Sequence, residues 1–148
     1  MAQPQALLCK GCWQNLHVPM VLRAAAVWDH DGLLNKTIGD AVMAVFNFPI
    51  KQDDHARQAL LAAREIQQRL AVRKKEAGLE FGVGVGLQTG EVSFGEFGRS
   101  HRDLTAIGTV VNTAARVQAA AKPGEILVTD AIRAELKGFD KPVMLYQA

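Results

Sequence analysis

Cysteine, tryptophan and tyrosine are scarce in this sequence, which has two, two and one of them. No stretch is long and apolar enough to read as a membrane-spanning helix. Cys9 and Cys12 form one Cys-x-x-Cys pair. A zinc site needs a second pair of ligands at a suitable spacing, and His17, His30, His55 and His101 are too scattered to supply it. Two readings stay open: free thiols in a reducing compartment, or the remnant of a zinc-binding segment. A strong excess of one charge is also missing. The net charge of +2 gives no argument for nucleic acid. Arg73-Lys74-Lys75 is a short basic run at the end of an expected helix, where cations suit the macrodipole and solvent. The first residues lack the basic start and apolar run of a signal peptide, so a cytoplasmic location is expected.

What is present suits a single globular domain. The chain has 148 residues, 49% of them hydrophobic, enough to bury a core. Residues 1–18 show no clear period and read as an irregular lead-in, with the domain proper over 19–148. Met20, Val21, Ala24, Val27 and Trp28 have helical spacing, and Gly32 should end that helix. Leu33 to Ile38 and Ala41 to Phe46 read as two strands joined by a Gly39-Asp40 turn. Asp54 is placed to cap a helix whose apolar stripe runs from Ala56 through Leu70, with Gly78 as its stop. Phe81 to Thr89 and Glu91 to Phe97 read as a second hairpin around Gly90. A strand at Leu104–Ile107, a helix at Thr109–Ala121, a strand at Glu125–Thr129, a helix at Asp130–Leu136 and a strand at Pro142–Tyr146 follow. This order predicts an α+β sandwich, helices laid on an antiparallel sheet. The alternating Gly82, Gly84 and Gly86 meet no nucleotide-loop fingerprint. They predict a flat strand face against which a helix or a second subunit packs closely.

Several polar residues stand out. Asp40, at the tip of the first hairpin, offers oxygen to a divalent cation, or is merely a good turn residue. Lys36 sits inside a predicted strand, where lysine is depleted. It is either a donor to a ligand or a guard on an edge strand. Asn112 and Arg116 stand four apart on one helix face among Val110, Val111, Ala114, Ala115 and Val117. Polar groups in so apolar a helix need partners, and a phosphate or ribose would serve, as would a neighbouring carboxylate.

Taken together, these pieces resemble class III nucleotidyl cyclases. Thr37-Ile38-Gly39-Asp40-Ala41-Val42-Met43-Ala44-Val45-Phe46 resembles the family's hairpin, Gln52-Asp53-Asp54-His55-Ala56 the start of its next helix, and Thr89-Gly90-Glu91-Val92 a later turn. Ile107-Gly108 with Val111-Asn112-Thr113-Ala114-Ala115-Arg116 resembles its signature helix. The resemblance implies a ferredoxin-like-derived α+β sandwich that acts as a dimer with its site between two domains. By the same resemblance Asp40 is one of two metal-binding carboxylates for Mg²⁺ or Mn²⁺. Lys36 and Thr105 read the base, Asn112 orients the ribose, and Arg116 stabilises charge on the reacting phosphate. Lys36 and Thr105 stand where guanylate-specific members have Glu and Cys, which implies ATP as substrate and cyclic AMP as product. The implied partner is a second copy or another cyclase domain. Ile38-Gly39-Asp40-Ala41-Val42 is not the Gly-Gly-Asp/Glu-Glu-Phe hairpin of diguanylate cyclases.

Two departures accompany the resemblance. The family's opening strand, with its first metal-binding Asp, is not evident, since Asp29 is the first acid of the chain. The chain also runs from Leu136 almost directly toward its last strand, so it reads as shortened in both places. A cyclase-homology domain that dimerises or regulates without turnover is therefore the alternative.

Overall fold

The computed structural model describes residues 5–11, 17–78, 80–97, 103–136, 138 and 143–147. Cys12 and, Gly138 apart, the shortened stretch just after Leu136 lie outside the described residues. The elements are β1 (Gln5–Gly11), α1 (His17–Asp29), β2 (Leu33–Ile38), β3 (Ala41–Phe46), α2 (His55–Ala77), β4 (Val83–Thr89), β5 (Ser93–Phe97), β6 (Asp103–Ile107), α3 (Thr109–Ala120), β7 (Ile126–Val128), α4 (Asp130–Glu135) and β8 (Met144–Leu145). They form a six-stranded sheet in the order β2-β3-β1-β4-β7-β8 and a two-stranded sheet, β5-β6. The first four strands of the larger sheet pair antiparallel, while β7 and β8 continue it in parallel.

Strand β3 carries the core to both faces. All six of its residues are buried, and side chains alternate across a strand. Ala44 and Phe46 join the cluster built by α1, α2 and α4. Met43 and Val45 join Ala106 of β6 and Val110 and Ala114 of α3. The sheet thus lies between two layers: α1, α2 and α4 on one face, α3 and the β5–β6 ribbon on the other. Stacking of Phe48 on Phe94, with ring centroids 4.2 Å apart, ties the chain after β3 to that ribbon. On the opposite face Arg69 bridges Asp29 of α1 and Glu65 of its own helix, and His30 Nε2 lies 2.8 Å from Glu65.

Strand β4 shows the same alternation in a sharper form. Val83, Val85 and Leu87 face the α2 cluster. Gly84 and Gly86 lie under α3, where a Cβ on Gly86 would sit 2.3 Å from the Gln118 nitrogen and one on Gly84 2.5 Å from the Ala121 carbonyl oxygen. The flat face is therefore covered by a helix of the same chain and not by a second subunit. Only glycine lets the α3 backbone approach so closely.

Four expectations need correction. An ordered strand, β1, occupies Gln5–Gly11, inside the stretch expected to be irregular, and α1 begins at His17. Strand β1 pairs with both β3 and β4. Its residues can therefore satisfy their backbone groups on both edges, which local pattern does not reveal. The expected β4–β5 hairpin does not form. Strand β4 pairs with β1 and β7, and β5 turns away to pair with β6. Asp54 makes no side-chain cap on α2 and instead accepts a bond from Gln58 Nε2 at 2.8 Å. Finally, Asn112 and Arg116 are exposed, because the buried stripe of α3 is Val110, Ala114, Val117 and Gln118.

Candidate functional site

Strand β2 is an edge strand, and it carries a bulge. Leu34 pairs with Ala44 and Lys36 with Met43, so Asn35 is the extra residue. A bulge bends a strand and re-aims the side chain beside it. Asn35 is held in place because its Oδ1 accepts a bond from the Ala106 amide of β6 at 3.4 Å. The next side chain then reaches the same strand: Lys36 Nζ donates to Thr105 Oγ1 at 3.3 Å. Thr105 is buried and Lys36 exposed, so the pair sits at the rim of the fold with an ammonium turned toward solvent. A single solvent-exposed bond of this kind contributes on the order of 1 kcal/mol. Two residues 69 positions apart are thus brought together at the open edge of the sheet.

Two residues past Lys36 the strand ends at the Gly39–Asp40 turn, with Ile38 paired to Ala41 across it. Gly39 has a φ of 59°, a left-handed conformation that glycine adopts without strain. Asp40 is half-buried, and its carbonyl accepts a 2.8 Å hydrogen bond from Nη1 of Arg23. Arg23 belongs to α1 and is only 1% exposed. Sequence reading missed both Arg23 and Asn35. For Arg23 the signal was a charged residue inside an otherwise apolar helical run, whereas Asn35, followed by Lys36 and Thr37, carried none.

Strand β6 leads through Gly108 straight into α3, so Thr105 and the first turn of that helix share one short segment. The Gly108 carbonyl accepts from the amides of Val111 and Asn112. Asn112 and Arg116 project from successive turns of α3 into solvent. Among the described residues neither side chain has a recorded hydrogen bond or ion pair. Lys36, Asn112 and Arg116 therefore all present uncommitted donor capacity outward.

A separate concavity of about 930 Å³ lies between α2 and α4, lined by His30, Asp54, His55, Arg64, Glu65 and Glu135 among others. None of the five expected site residues lines it. His55 Nε2 is 3.1 Å from a Glu135 oxygen but out of hydrogen-bonding alignment, and Glu135 also accepts from Thr89 Oγ1 at 3.0 Å. That contact ties α2 to α4.

A profile of the "Adenylate and Guanylate cyclase catalytic domain" family matches residues 27–145. An uncharacterised protein of Mycobacterium tuberculosis is 38% identical over 103 residues, which is 68% of this chain and 18% of that protein. Another from the same species is 36% identical over 135 residues, covering 78% of this chain and 24% of its own length. The chain thus spans less than a quarter of the curated relatives it matches. Among solved structures, the catalytic core of a rhodopsin-guanylyl cyclase with converted specificity, in complex with ATPαS, superposes with a TM-score of 0.84 at 24% identity, over 93% of this chain and 82% of that one. The adenylyl cyclase CyaB from P. aeruginosa gives 0.84 at 21% identity, over 96% and 91%. At such identities these likenesses speak for the fold. The sandwich and the matched segment define a class III nucleotidyl cyclase domain. The chain belongs to the adenylate and guanylate cyclase catalytic domain family.

Catalytic domains of this family generally use divalent metal ions, and two-metal chemistry needs carboxylates to place both ions. The residues here do not fit a pair of them. Asp40 is a single carboxylate. Strand β1, which reads Gln-Ala-Leu-Leu-Cys-Lys-Gly, supplies none, and a buried guanidinium donates to the Asp40 backbone. Among the described residues no group of three or more His, Cys, Asp or Glu side chains could hold a metal ion.

Proposed function

We propose that this chain is the nucleotide-reading side of a divided adenylate cyclase site, completed by a partner domain that brings both metal-binding carboxylates. In the assembled site the ribose 3′-hydroxyl of ATP attacks the α-phosphorus. The bond from that phosphorus to the pyrophosphate oxygen breaks, the hydroxyl proton passes to solvent, and cyclic AMP and pyrophosphate leave. Lys36 donates to the adenine ring nitrogen, and Thr105 accepts from the exocyclic amine. Asn112 orients the ribose. Arg116 offsets the charge that develops on the α-phosphoryl oxygens, where a fixed cation acts mainly on the transition state.

The observation that carries the reading is the contact between Lys36 and Thr105, formed across 69 residues by a bulge and a second sheet. A lysine serving only to guard an edge strand would need neither. The exposure of Asn112 and Arg116 on α3 supports it too, since groups meant for a ligand held between two domains must face outward in one domain alone. A second reading, a cyclase-homology domain that dimerises or regulates without turnover, is favoured by the absence of an acid from β1.

Mixing separates the two. The purified chain is combined with a complete cyclase domain whose own asparagine and arginine counterparts are mutated, and cyclic AMP is measured with Mn²⁺ and ATP. The expected result is little activity from either protein alone and a restored rate from the mixture. Arg116→Ala should then lower the restored rate by about 10²–10³. A mixture no better than its parts would establish the non-catalytic reading.

A further inference from the structure

Consecutive residues of a strand turn their side chains to opposite faces, yet Asn35 and Lys36 both reach β6. Asn35 Oδ1 accepts from the Ala106 amide at 3.4 Å, and Lys36 Nζ donates to Thr105 Oγ1 at 3.3 Å. The bulge makes this possible, because the extra residue breaks the alternation against β3. Strands β2 and β6 belong to different sheets, so no backbone ladder joins them, and side chains span the gap instead. The two bonds differ in setting. Ala106 is only 3% exposed and packs with Val110 and Ala114 of α3, where a backbone amide needs an acceptor. Lys36 is exposed at the rim. Under the base-reading roles proposed above, a purine edge seats against Lys36 and Thr105 together and draws on the donor and acceptor of their mutual bond. The rim bond then no longer sets the distance between the strands. The buried bond, one residue away on each strand, is left to do so.

We propose that Asn35 is a positioning residue for base selection: its Oδ1, seated on the Ala106 amide, fixes the spacing of Lys36 from Thr105 while a nucleotide is bound. The inference rests on the divided-site reading and names the residue that makes its base pair selective. Discrimination between purines depends on which polar atoms meet in good alignment, so it is lost when donor and acceptor drift apart. Affinity common to ATP and GTP, which comes from ribose and phosphates, does not depend on that spacing. At 3.4 Å the bond is long, so its loss shows as displacement more than as unfolding.

The ratio of ATP to GTP affinity separates this role from a purely structural one, which would weaken both nucleotides alike. The purified chain is paired with a complete cyclase domain whose own base-reading, asparagine and arginine counterparts are mutated, and each nucleotide is titrated calorimetrically. The parent pair should prefer ATP about tenfold. Asn35→Leu, similar in size and unable to accept, should bring the ratio to about twofold or less by weakening ATP alone. Asn35→Asp keeps the acceptor and removes the amide donors, so it isolates this bond from any other the side chain makes, and it should keep the parent's ratio. Hydrogen exchange of the Ala106 amide in the chain alone should be roughly tenfold faster in the leucine variant than in the parent or the aspartate variant. Thermal unfolding reports whether each variant is folded, and Asn35→Ala carries the same test if the leucine variant is not. A leucine variant that keeps the ratio, or an aspartate variant that loses it, overturns the proposal. The double change Lys36→Ala with Thr105→Ala is the control. If it loses the preference while Asn35→Leu keeps it, the base-reading pair stands and only the role of Asn35 falls. If the parent shows no preference, or the control keeps it, base reading by this pair falls and the role of Asn35 with it.

Discussion

Under the proposed function, hydrogen-bond polarity at Lys36 and Thr105 sets the base. The ring nitrogen of adenine that faces such a pair is an acceptor, while in guanine it carries a proton. An ammonium satisfies the first and confronts the second with a donor against a donor. A mismatched buried polar pair costs on the order of 1–3 kcal/mol. Calorimetric titration of the mixed dimer should therefore show ATP bound about ten times more tightly than GTP or better. The double change Lys36→Glu with Thr105→Cys should reverse the order. Equal binding of the two nucleotides would remove these residues from base reading. Lys36, Asn112 and Arg116 stood out in the sequence because each is a polar residue where local pattern calls for something else, while Asp40 suits its turn and, like Thr105, was singled out through the family resemblance. Asn35 was not. Its importance comes from a register shift against β3 and a bond to β6, both partners remote in sequence. Arg23 escaped for the same reason: helical periodicity places it on the buried face, but only the fold shows what lies opposite.

Among the elements, β4 and α3 form the most constrained contact. The alternation of glycine and valine could be read directly, and so could the need for a close neighbour. Which neighbour it is depends on chain connectivity, because α3 lies over β4 only once β5 and β6 have turned away as a separate ribbon. Gly86→Ala makes the contact measurable. The added methyl would lie 2.3 Å from the Gln118 nitrogen and 2.9 Å from the Ala114 carbonyl, both backbone atoms that cannot rotate aside. Overpacking of this kind costs about 1–3 kcal/mol, so the midpoint of chemical unfolding should fall clearly below that of the parent. Because α3 also carries Asn112 and Arg116, the restored cyclase rate of the mixture should fall with it, at protein concentrations where the variant is still folded. An unfolding midpoint equal to the parent's would mean that α3 rests more loosely on the sheet than these distances describe.

For the whole molecule the question is what covers the side that carries Lys36 and Thr105. Ile38 of β2 and Ile107 of β6 flank that pair in sequence, and both are exposed, at 56% and 44%. Scattered exposed apolar residues are ordinary, but two beside a polar rim fit the core-and-rim character of an interface. With the glycine face covered by α3, this side is a candidate surface for a partner cyclase domain, and a second copy of the chain could occupy it only in a pairing without the two metal carboxylates. Light scattering over a concentration series should show a dimer. The double change Ile38→Asp with Ile107→Asp should give a monomer with nearly the parent's unfolding temperature, since exposed positions contribute little to stability. A parent chain that stays monomeric at high concentration would count against self-association and leave a different cyclase domain as the partner.

The placement of β1 bears on how the chain is made. Of the strands of this domain β1 is synthesised first, yet it lies inside the sheet, bonded to β3 on one edge and to β4 on the other. Its second edge stays bare until translation has passed Thr89. Most of the stabilising contacts therefore join residues far apart in sequence, a topology that slows folding and prolongs the exposure of unpaired strand. For that interval the nascent domain carries an open strand edge able to pair with other chains, so its folding yield should fall as the concentration of unfolded chain rises.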